Sequence, residues 1–180
     1  MARGRRLWRA MTGETISGMA SPIDPIAPAV RKGALVGERY RLLRRIAGGG
    51  MSTIFEATDE RTDRVRAVKL LHPSIASSES HRRRFEREAR VTARIVSEHV
   101  IDILDAGVDV DSGSPYLVMP LLAGRDLAAE IEARGALDPA TALAWLAQIA
   151  GALDAAHAAG VVHRDLKPAN VFLTTRDDES

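Results

Sequence analysis

The chain has 180 residues, a length that corresponds to one domain or slightly more. Hydrophobic residues make up 46% of it and charged residues 27%, which excludes disorder throughout and favours a soluble globular fold. The net charge of +1 gives no overall field for binding nucleic acid, and the absence of cysteine excludes disulfides, zinc–thiolate sites and thiol catalysis.

Residues 1–37 form the predicted tail. Four arginines surround Leu7 and Trp8 without the apolar run of a signal peptide, and Gly, Ser, Pro and Ala dominate the residues that follow. This composition predicts a basic, disordered tail and a folded region that begins near Glu38. A patch for a membrane surface or a partner is the alternative interpretation of the same arginines.

Residues 38–122 are predicted to contain five strands and one helix. The strands lie in ERYRLLRRIA, STIFEAT, RVRAVKLL, VIDILDAGVDV and PYLVMPLL. The stretch SSESHRRRFEREARVTARIV carries Phe85, Ala89 and Val96 at helical spacing, behind a serine that can cap the helix. An antiparallel sheet with one inserted helix is the simplest arrangement of these elements.

Residues 123–180 are predicted to be mainly helical. A short amphipathic helix lies in RDLAAEIEARG, and a longer one begins with the cap Asp138 and Pro139 and ends at Gly160. Because the longer helix is apolar nearly all round, it is expected inside a larger domain. Three polar residues interrupt this most apolar stretch: Gln148, Asp154 and His157. We therefore expect no membrane segment and a cytoplasmic protein.

Three motifs that could bind a ligand or take part in catalysis precede residue 123. The sequence IAGGGMSTI places three glycines between two predicted strands, and a backbone without Cβ atoms can approach a phosphate closely. The same pattern is also typical of ordinary hairpins. Lys69 lies in an apolar strand and Glu88 on the predicted helix, and each alone is typical of a solvated residue.

The fourth motif is the octet HRDLKPAN at residues 163–170. Asp165 can accept a proton from a hydroxyl, Lys167 can neutralise a transferring phosphoryl group, and Asn170 can offer its carbonyl oxygen to Mg²⁺. Each residue alone is compatible with a polar loop. Their combination with the upstream lysine and the glycine turn is not explained by loop polarity.

From Tyr40 to Leu173 the chain resembles bacterial serine/threonine protein kinases of the eukaryotic-like type, whose signature H-R-D-L-x-x-x-N the octet matches. The resemblance implies an α+β, protein-kinase-like fold. Its N-lobe would be a five-stranded antiparallel sheet with one helix over residues 38–122, and an incomplete helical C-lobe would follow over 123–180. ATP and Mg²⁺ are the implied cofactors, and a Ser or Thr hydroxyl of a protein is the implied acceptor.

The resemblance also implies a nucleotide site. The glycine loop keeps the middle glycine of the family pattern at Gly49, while Ala47 and Ser52 replace the outer two. Lys69 and Glu88 match the ion pair that holds the α- and β-phosphates. The complete implied set is Ile46, Ala47, Gly48, Gly49, Gly50, Met51, Ser52, Ile54, Ala67, Lys69, Glu88, Met119, Pro120, Leu122, Asp126 and Phe172.

Within that set, the resemblance assigns positions around the adenosine. Met119 matches the gatekeeper, and Pro120 to Leu122 match the hinge that binds adenine through backbone groups. Three apolar residues would sandwich the adenine ring: Ile54, Ala67 and Phe172. Asp126 would meet the ribose. The implied catalytic residues are Asp165, Lys167 and Asn170, with Asn170 also as the metal ligand.

The sequence ends ten residues after Asn170, before the D-F-G motif that follows in the family. Asp177 and Asp178 are not followed by Phe-Gly and are typical of a turn. We therefore expect one Mg²⁺ ligand to be missing and little phosphoryl transfer by these residues alone. We also expect self-association through the apolar surface of the incomplete C-lobe.

Two alternatives to an active protein kinase remain from the sequence. The first is a non-catalytic kinase module that binds nucleotide or a partner. The second is a small-molecule phosphotransferase of kinase-like fold, such as an antibiotic kinase, which the pattern of Arg164 and Lys167 disfavours.

Overall fold

The computed structural model describes residues 6–9 and 32–174. Asp177 and Asp178, and most of the predicted tail, lie outside the described residues. The chain divides into two compact units. The sheet unit comprises Ile16–Arg90 and Asp102–Leu121, and the helical unit comprises Met1–Thr15, Val91–Ile101 and Leu122–Ser180.

The sheet unit contains an antiparallel sheet of six strands in the order β2-β3-β4-β5-β7-β6. The strands are β2 (Leu35–Val36), β3 (Tyr40–Gly48), β4 (Ser52–Asp59), β5 (Arg64–Leu71), β6 (Asp105–Val108) and β7 (Pro115–Pro120). Strands β3 to β7 confirm the five that the sequence predicts. The sixth, β2, lies within residues 1–37, where we expected loose tail. It forms because Gly37 and Glu38, both with φ of 56°, turn the chain back onto β3.

Side chains alternate between the two faces of this sheet, as the period of two in a strand requires. One face carries the hydrophobic core of the unit, formed by Val36, Tyr40, Leu42, Phe55, Ala57, Val68, Leu70, Tyr116 and Val118. Residues between these core positions point to the opposite face. Lys69, which lies between Val68 and Leu70, belongs to that opposite face.

The predicted helix is present as α2 (Glu79–Thr92), preceded by the single turn α1 (Pro73–Ala76). Phe85 and Ala89 are buried, as their spacing predicts. The prediction for Val96 is wrong, because the helix ends four residues earlier and Val96 is 93% exposed. Turn hydrogen bonds from Arg94 to Val91 and from Ile95 to Thr92 follow the helix, and they bring Ile95 into a buried position instead.

The helical unit contains α3 (Leu127–Arg134), α4 (Pro139–Ala158) and a sheet of β8 (Gly124–Asp126), β9 (Val171–Thr174) and β1 (Arg6–Arg9) in the order β1-β9-β8. Strand β1 is a second ordered element within the predicted tail. The cap of α4 is confirmed, since the Asp138 carboxylate accepts a hydrogen bond from the backbone N–H of Thr141 at 2.9 Å.

Helix α4 is buried along one stripe only. Trp145, Ala152 and Ala156 are buried, and Trp145 packs with Val171 and Leu173 of β9. Leu143 and Leu146 on another side are 67% and 58% exposed. In the part of the chain that the structure describes, neither α4 nor any other helix has the length and apolar character needed to cross a membrane.

Candidate active site

Strand register places four predicted nucleotide-binding residues on one face of the sheet unit. Ile54 of β4 lies opposite Lys69 of β5, and Ala67 of β5 lies opposite Met119 of β7. Opposed residues of antiparallel strands point to the same face, and Ala67 and Lys69 are two positions apart. The fold therefore gathers residues that are up to 65 positions apart in the sequence (54 to 119).

Lys69 is almost completely buried, with 3% of its surface exposed. Its Nζ lies 5.6 Å from the centroid of the Phe85 ring on α2. Glu88 lies on the same helix, one turn beyond Phe85, and its side chain is not among those described. The sequence did not single out Phe85 beyond its place in the core. Its helical spacing from Glu88 was the available signal.

The glycine turn between β3 and β4 is fixed at its β4 end. The Gly49 N–H donates to the Ser52 carbonyl at 2.9 Å, and the Met51 carbonyl accepts from the His72 N–H at 2.9 Å. The Thr53 hydroxyl lies 2.8 Å from His72 Nε2. These bonds join the turn to the residue that follows β5. Thr53 and His72 were not predicted as part of the site, because their contact exists only once β4 and β5 pair.

The glycines of this turn are not required by the backbone. None of Gly48, Gly49 and Gly50 has a positive φ. A Cβ built on Gly50 meets no heavy atom within 4 Å, so the space at this position is open, whereas a Cβ on Gly48 would lie 2.0 Å from the Arg45 guanidinium. An open, side-chain-free turn is what a phosphate needs in order to reach backbone N–H groups. Ile46, Ala47 and Gly48 form the end of β3 that leads into the turn, and Ile46 is 41% exposed.

The predicted hinge begins in the sheet unit and continues in the helical unit. Met119 and Pro120 end β7, and Leu122 follows it.

Asp126 and Phe172 lie directly opposite each other in the pairing of β8 with β9. The Asp126 carboxylate caps α3 by accepting a hydrogen bond from the Ala129 N–H at 2.8 Å. One of its oxygens thus has a structural role, which the sequence analysis did not include.

The three predicted catalytic residues are in direct contact. Lys167 Nζ lies 2.9 Å from Asp165 Oδ2. The Asn170 amide donates to the Asp165 backbone carbonyl at 2.7 Å and to its Oδ2 at 3.1 Å. A short 3₁₀ turn over Pro168–Asn170 closes the loop and buries Asn170. The octet therefore forms one compact group in the helical unit.

These contacts set the ionisation of Asp165. The hydrogen bond from Lys167, supported by the one from Asn170 and the charge of Lys167, holds the pKa of the Asp165 carboxyl below its usual range. Asp165 is consequently a carboxylate at neutral pH. It can accept a hydrogen bond from an incoming hydroxyl and orient its oxygen.

The backbone beside Asp165 is strained. Arg164 has a φ of 62°, in the left-handed region that residues other than glycine rarely adopt. Such conformations cost of order 1–3 kcal/mol and concentrate at functional sites. This conformation of Arg164 turns the chain sharply between its two neighbours. The Asp165 N–H donates to the His163 carbonyl at 2.8 Å.

The donor set for a cation is small. Within residues 6–9 and 32–174 there is no group of three or more His, Asp or Glu side chains that could hold a metal ion. Asn170 uses its amide nitrogen toward Asp165, so its carbonyl oxygen is the atom of this side chain that fits Mg²⁺. Among the described residues of the octet, Asn170 thus offers one amide oxygen that could serve as a ligand, and its role as a metal ligand stays a prediction.

Comparisons with known proteins agree with this geometry. Residues 40–179 match the protein kinase domain family. The serine/threonine-protein kinase PknE of Mycobacterium bovis is 44% identical over 138 residues, and PknD of Mycobacterium tuberculosis is 42% identical over 138 residues. The crystal structure of a double mutant of the Mycobacterium tuberculosis PknI kinase domain superimposes with a TM-score of 0.71 at 32% identity.

The matches cover most of this chain but a smaller part of its relatives. The alignment with PknE includes 77% of this chain and 24% of PknE, and that with PknD includes 77% and 20%. The structural match includes 83% of this chain and 58% of the PknI kinase domain chain. The chain therefore spans about a quarter or less of the length of these two curated relatives.

Proposed function

Because the chain belongs to the protein kinase family, as a member of its bacterial serine/threonine branch, we propose that it binds ATP and supports transfer of the γ-phosphoryl group to a Ser or Thr hydroxyl of a protein. The single observation that carries this proposal is the Asp165–Lys167–Asn170 group. It unites a charged carboxylate, a cation and an amide oxygen within one loop.

In this proposal the sheet unit binds the nucleotide. Ile54 and Ala67 contact the adenine ring, and the backbone of Pro120 recognises its edge, with Met119 beside them. The turn at Gly48 to Met51 covers the phosphates, with open space at Gly50. Lys69 binds the α- and β-phosphates with its ammonium, an arrangement supported by its burial on the same face as Ile54 and Ala67.

The helical unit supplies the chemistry. Asp165 orients the acceptor hydroxyl and takes its proton as the hydroxyl oxygen bonds to the γ-phosphorus and the bond to the ADP oxygen breaks. Lys167 offsets negative charge on the transferring group. Asn170 would offer its carbonyl oxygen to Mg²⁺, an ion that would neutralise charge on the phosphate oxygens. ATP as the donor places the proposed reaction in the cytoplasm.

The test follows radiolabel from γ-labelled ATP into a protein that contains Ser and Thr, in the presence of Mg²⁺. Transfer is followed over long incubations and compared between matched variants. Asp165→Asn should abolish transfer without weakening ATP binding. Asp154→Asn, at an exposed position of α4, is the control. Transfer that persists in Asp165→Asn would contradict the assigned role.

A further inference from the structure

We propose that Phe85 is a positioning residue for Lys69, a role that rests on the proposed binding of ATP by Lys69. The two side chains come from different elements, α2 and β5, and both are buried, at 6% and 3% exposure. The distance of 5.6 Å from Nζ to the ring centroid is within the range of about 6 Å over which an aromatic face attracts an ammonium.

The contact addresses a specific difficulty of a buried lysine. Its ammonium must be compensated electrostatically, and its four-carbon stem must be held in one conformation. The negative face of an aromatic ring attracts the cation without accepting a conventional hydrogen bond. The contact with Phe85 therefore holds the ammonium without using one of its hydrogen-bond donors.

The surroundings of Phe85 allow a precise substitution. The ring also borders a cavity of about 220 Å³ between α2 and strands β6 and β7. Phe85→Tyr keeps the aromatic face and adds only one hydroxyl group. Phe85→Leu removes the aromatic face while it keeps an apolar side chain at the position.

The contact can be observed without any activity. The chain has three lysines, Lys32, Lys69 and Lys167, so lysine labelled with ¹³C at Cε gives three resolved signals by NMR. Lys69→Met identifies the signal of Lys69. The ring current should displace this signal upfield relative to the other two. Phe85→Leu should remove the displacement, Phe85→Tyr should keep it, and the Lys167 signal should stay unchanged in both.

Nucleotide affinity tests the consequence. A contact of this type predicts that Phe85→Leu weakens ATP binding by about three- to tenfold. Adenosine has no phosphate for Lys69, so its affinity should change by less than about twofold on the same scale. Phe85→Tyr should retain ATP affinity, and Phe85→Leu should have no further effect in a Lys69→Met background. Phe85→Met provides a second non-aromatic variant if Phe85→Leu lowers the melting temperature.

Three results would overturn the proposal. They are a Lys69 signal without upfield displacement, a displacement that survives Phe85→Leu, and an equal loss of affinity for ATP and adenosine, which would indicate a packing role alone. Failure of the unsubstituted chain to bind ATP would instead contradict the proposed function. The NMR comparison separates that failure from a failure of the contact.

Discussion

Asp165 depends on two neighbouring side chains for its charge state, and this dependence can be measured. Lys167→Met removes the hydrogen bond that most lowers the pKa of the Asp165 carboxyl, together with the smaller effect of the Lys167 charge. We expect that pKa to rise toward the usual range for aspartate, about 3.9. An NMR titration of the carboxyl carbon measures it, with Lys32→Met as the control. An unchanged pKa in Lys167→Met would show that the ion pair does not form in solution.

A second carboxylate, Asp59, joins β3 to β4. It accepts hydrogen bonds from Arg39 at 2.7 and 2.8 Å, from the Thr62 hydroxyl at 2.8 Å and from the Arg61 N–H at 3.1 Å. The bond from Arg39 is the main cause that holds the pKa of Asp59 well below its usual range, although burial opposes it. Because Asp59 is only 2% exposed, its negative charge is stabilised mainly by these three hydrogen-bonding residues.

We predict that Asp59→Asn lowers the free energy of unfolding at pH 7 by about 2 kcal/mol, since charged hydrogen bonds are lost in a buried place. A lowered folded-state pKa stabilises the fold above the unfolded pKa of about 3.9 and loses this effect as pH falls. The difference between the two proteins should therefore shrink below about pH 4. Urea denaturation across pH measures it, with exposed Asp102→Asn as the control. A difference independent of pH would contradict the ionic origin.

The contacts of these two carboxylates differ in how far they can be predicted from the sequence. The Asp165 group is predictable because its members lie within six residues and a local turn brings them together. Asp59 lies twenty positions after Arg39, and their contact depends on how β3 and β4 pair, in a register that shifts twice. No pattern within either segment indicates that register.

Glycine at position 124 determines whether β8 can pair with β9. Its φ is 151°, and a Cβ there would lie 1.9 Å from the backbone carbonyl oxygen of Leu173 on β9. Gly135 ends α3 with a φ of 75°, and a Cβ there would meet nothing within 4 Å. Both glycines have a positive φ, but only at Gly124 would a Cβ clash with a neighbouring atom.

We therefore expect Gly124→Ala to be the more destabilising change. Gly135→Ala should cost about 1 kcal/mol for backbone strain, and Gly124→Ala about 1–3 kcal/mol more, because backbone must move to admit the methyl group. Denaturation by urea compares the two variants. Equal losses would show that the close approach of β8 to β9 is not present in solution.

Among the elements, those with local sequence signals were predicted, whereas strands that depend on a distant partner were not. The cap Asp138 and the terminal glycine define α4 in the sequence, and the structure confirms both. Strands β1, β2 and β8 have two to four residues each and were not predicted. Such short strands exist only because a partner strand is beside them, so no periodicity within them could reveal it.

For the molecule as a whole, the exposed side of α4 should govern association. Leu143 and Leu146 are one turn apart and more than half exposed. We expect the purified chain to self-associate through this apolar surface. Replacement of Leu143 and Leu146 together by Ser should reduce the sedimentation coefficient, whereas Asp154→Ser on the same helix should not. Identical sedimentation of all three proteins would exclude this surface as the interface.

The family was predictable at this scale and the details of the nucleotide site were less so. The octet at 163–170 is specific enough to indicate a kinase from the sequence alone. Ile54 lies opposite Lys69, and Ala67 opposite Met119, only because of the register in which the strands pair. The contacts of Phe85 with Lys69 and of His72 with Thr53 were not predicted, because the two partners lie on different elements.

The central claim, that the sheet unit binds ATP through Lys69, is tested most directly by a thermal-shift titration. A ligand that binds only the folded chain stabilises it by about 2.7 kcal/mol at one hundred times its Kd. With Mg²⁺ present, we predict a saturable rise in melting temperature with ATP that Lys69→Met strongly reduces. No saturable rise, or an equal rise in Lys69→Met, would contradict the claim.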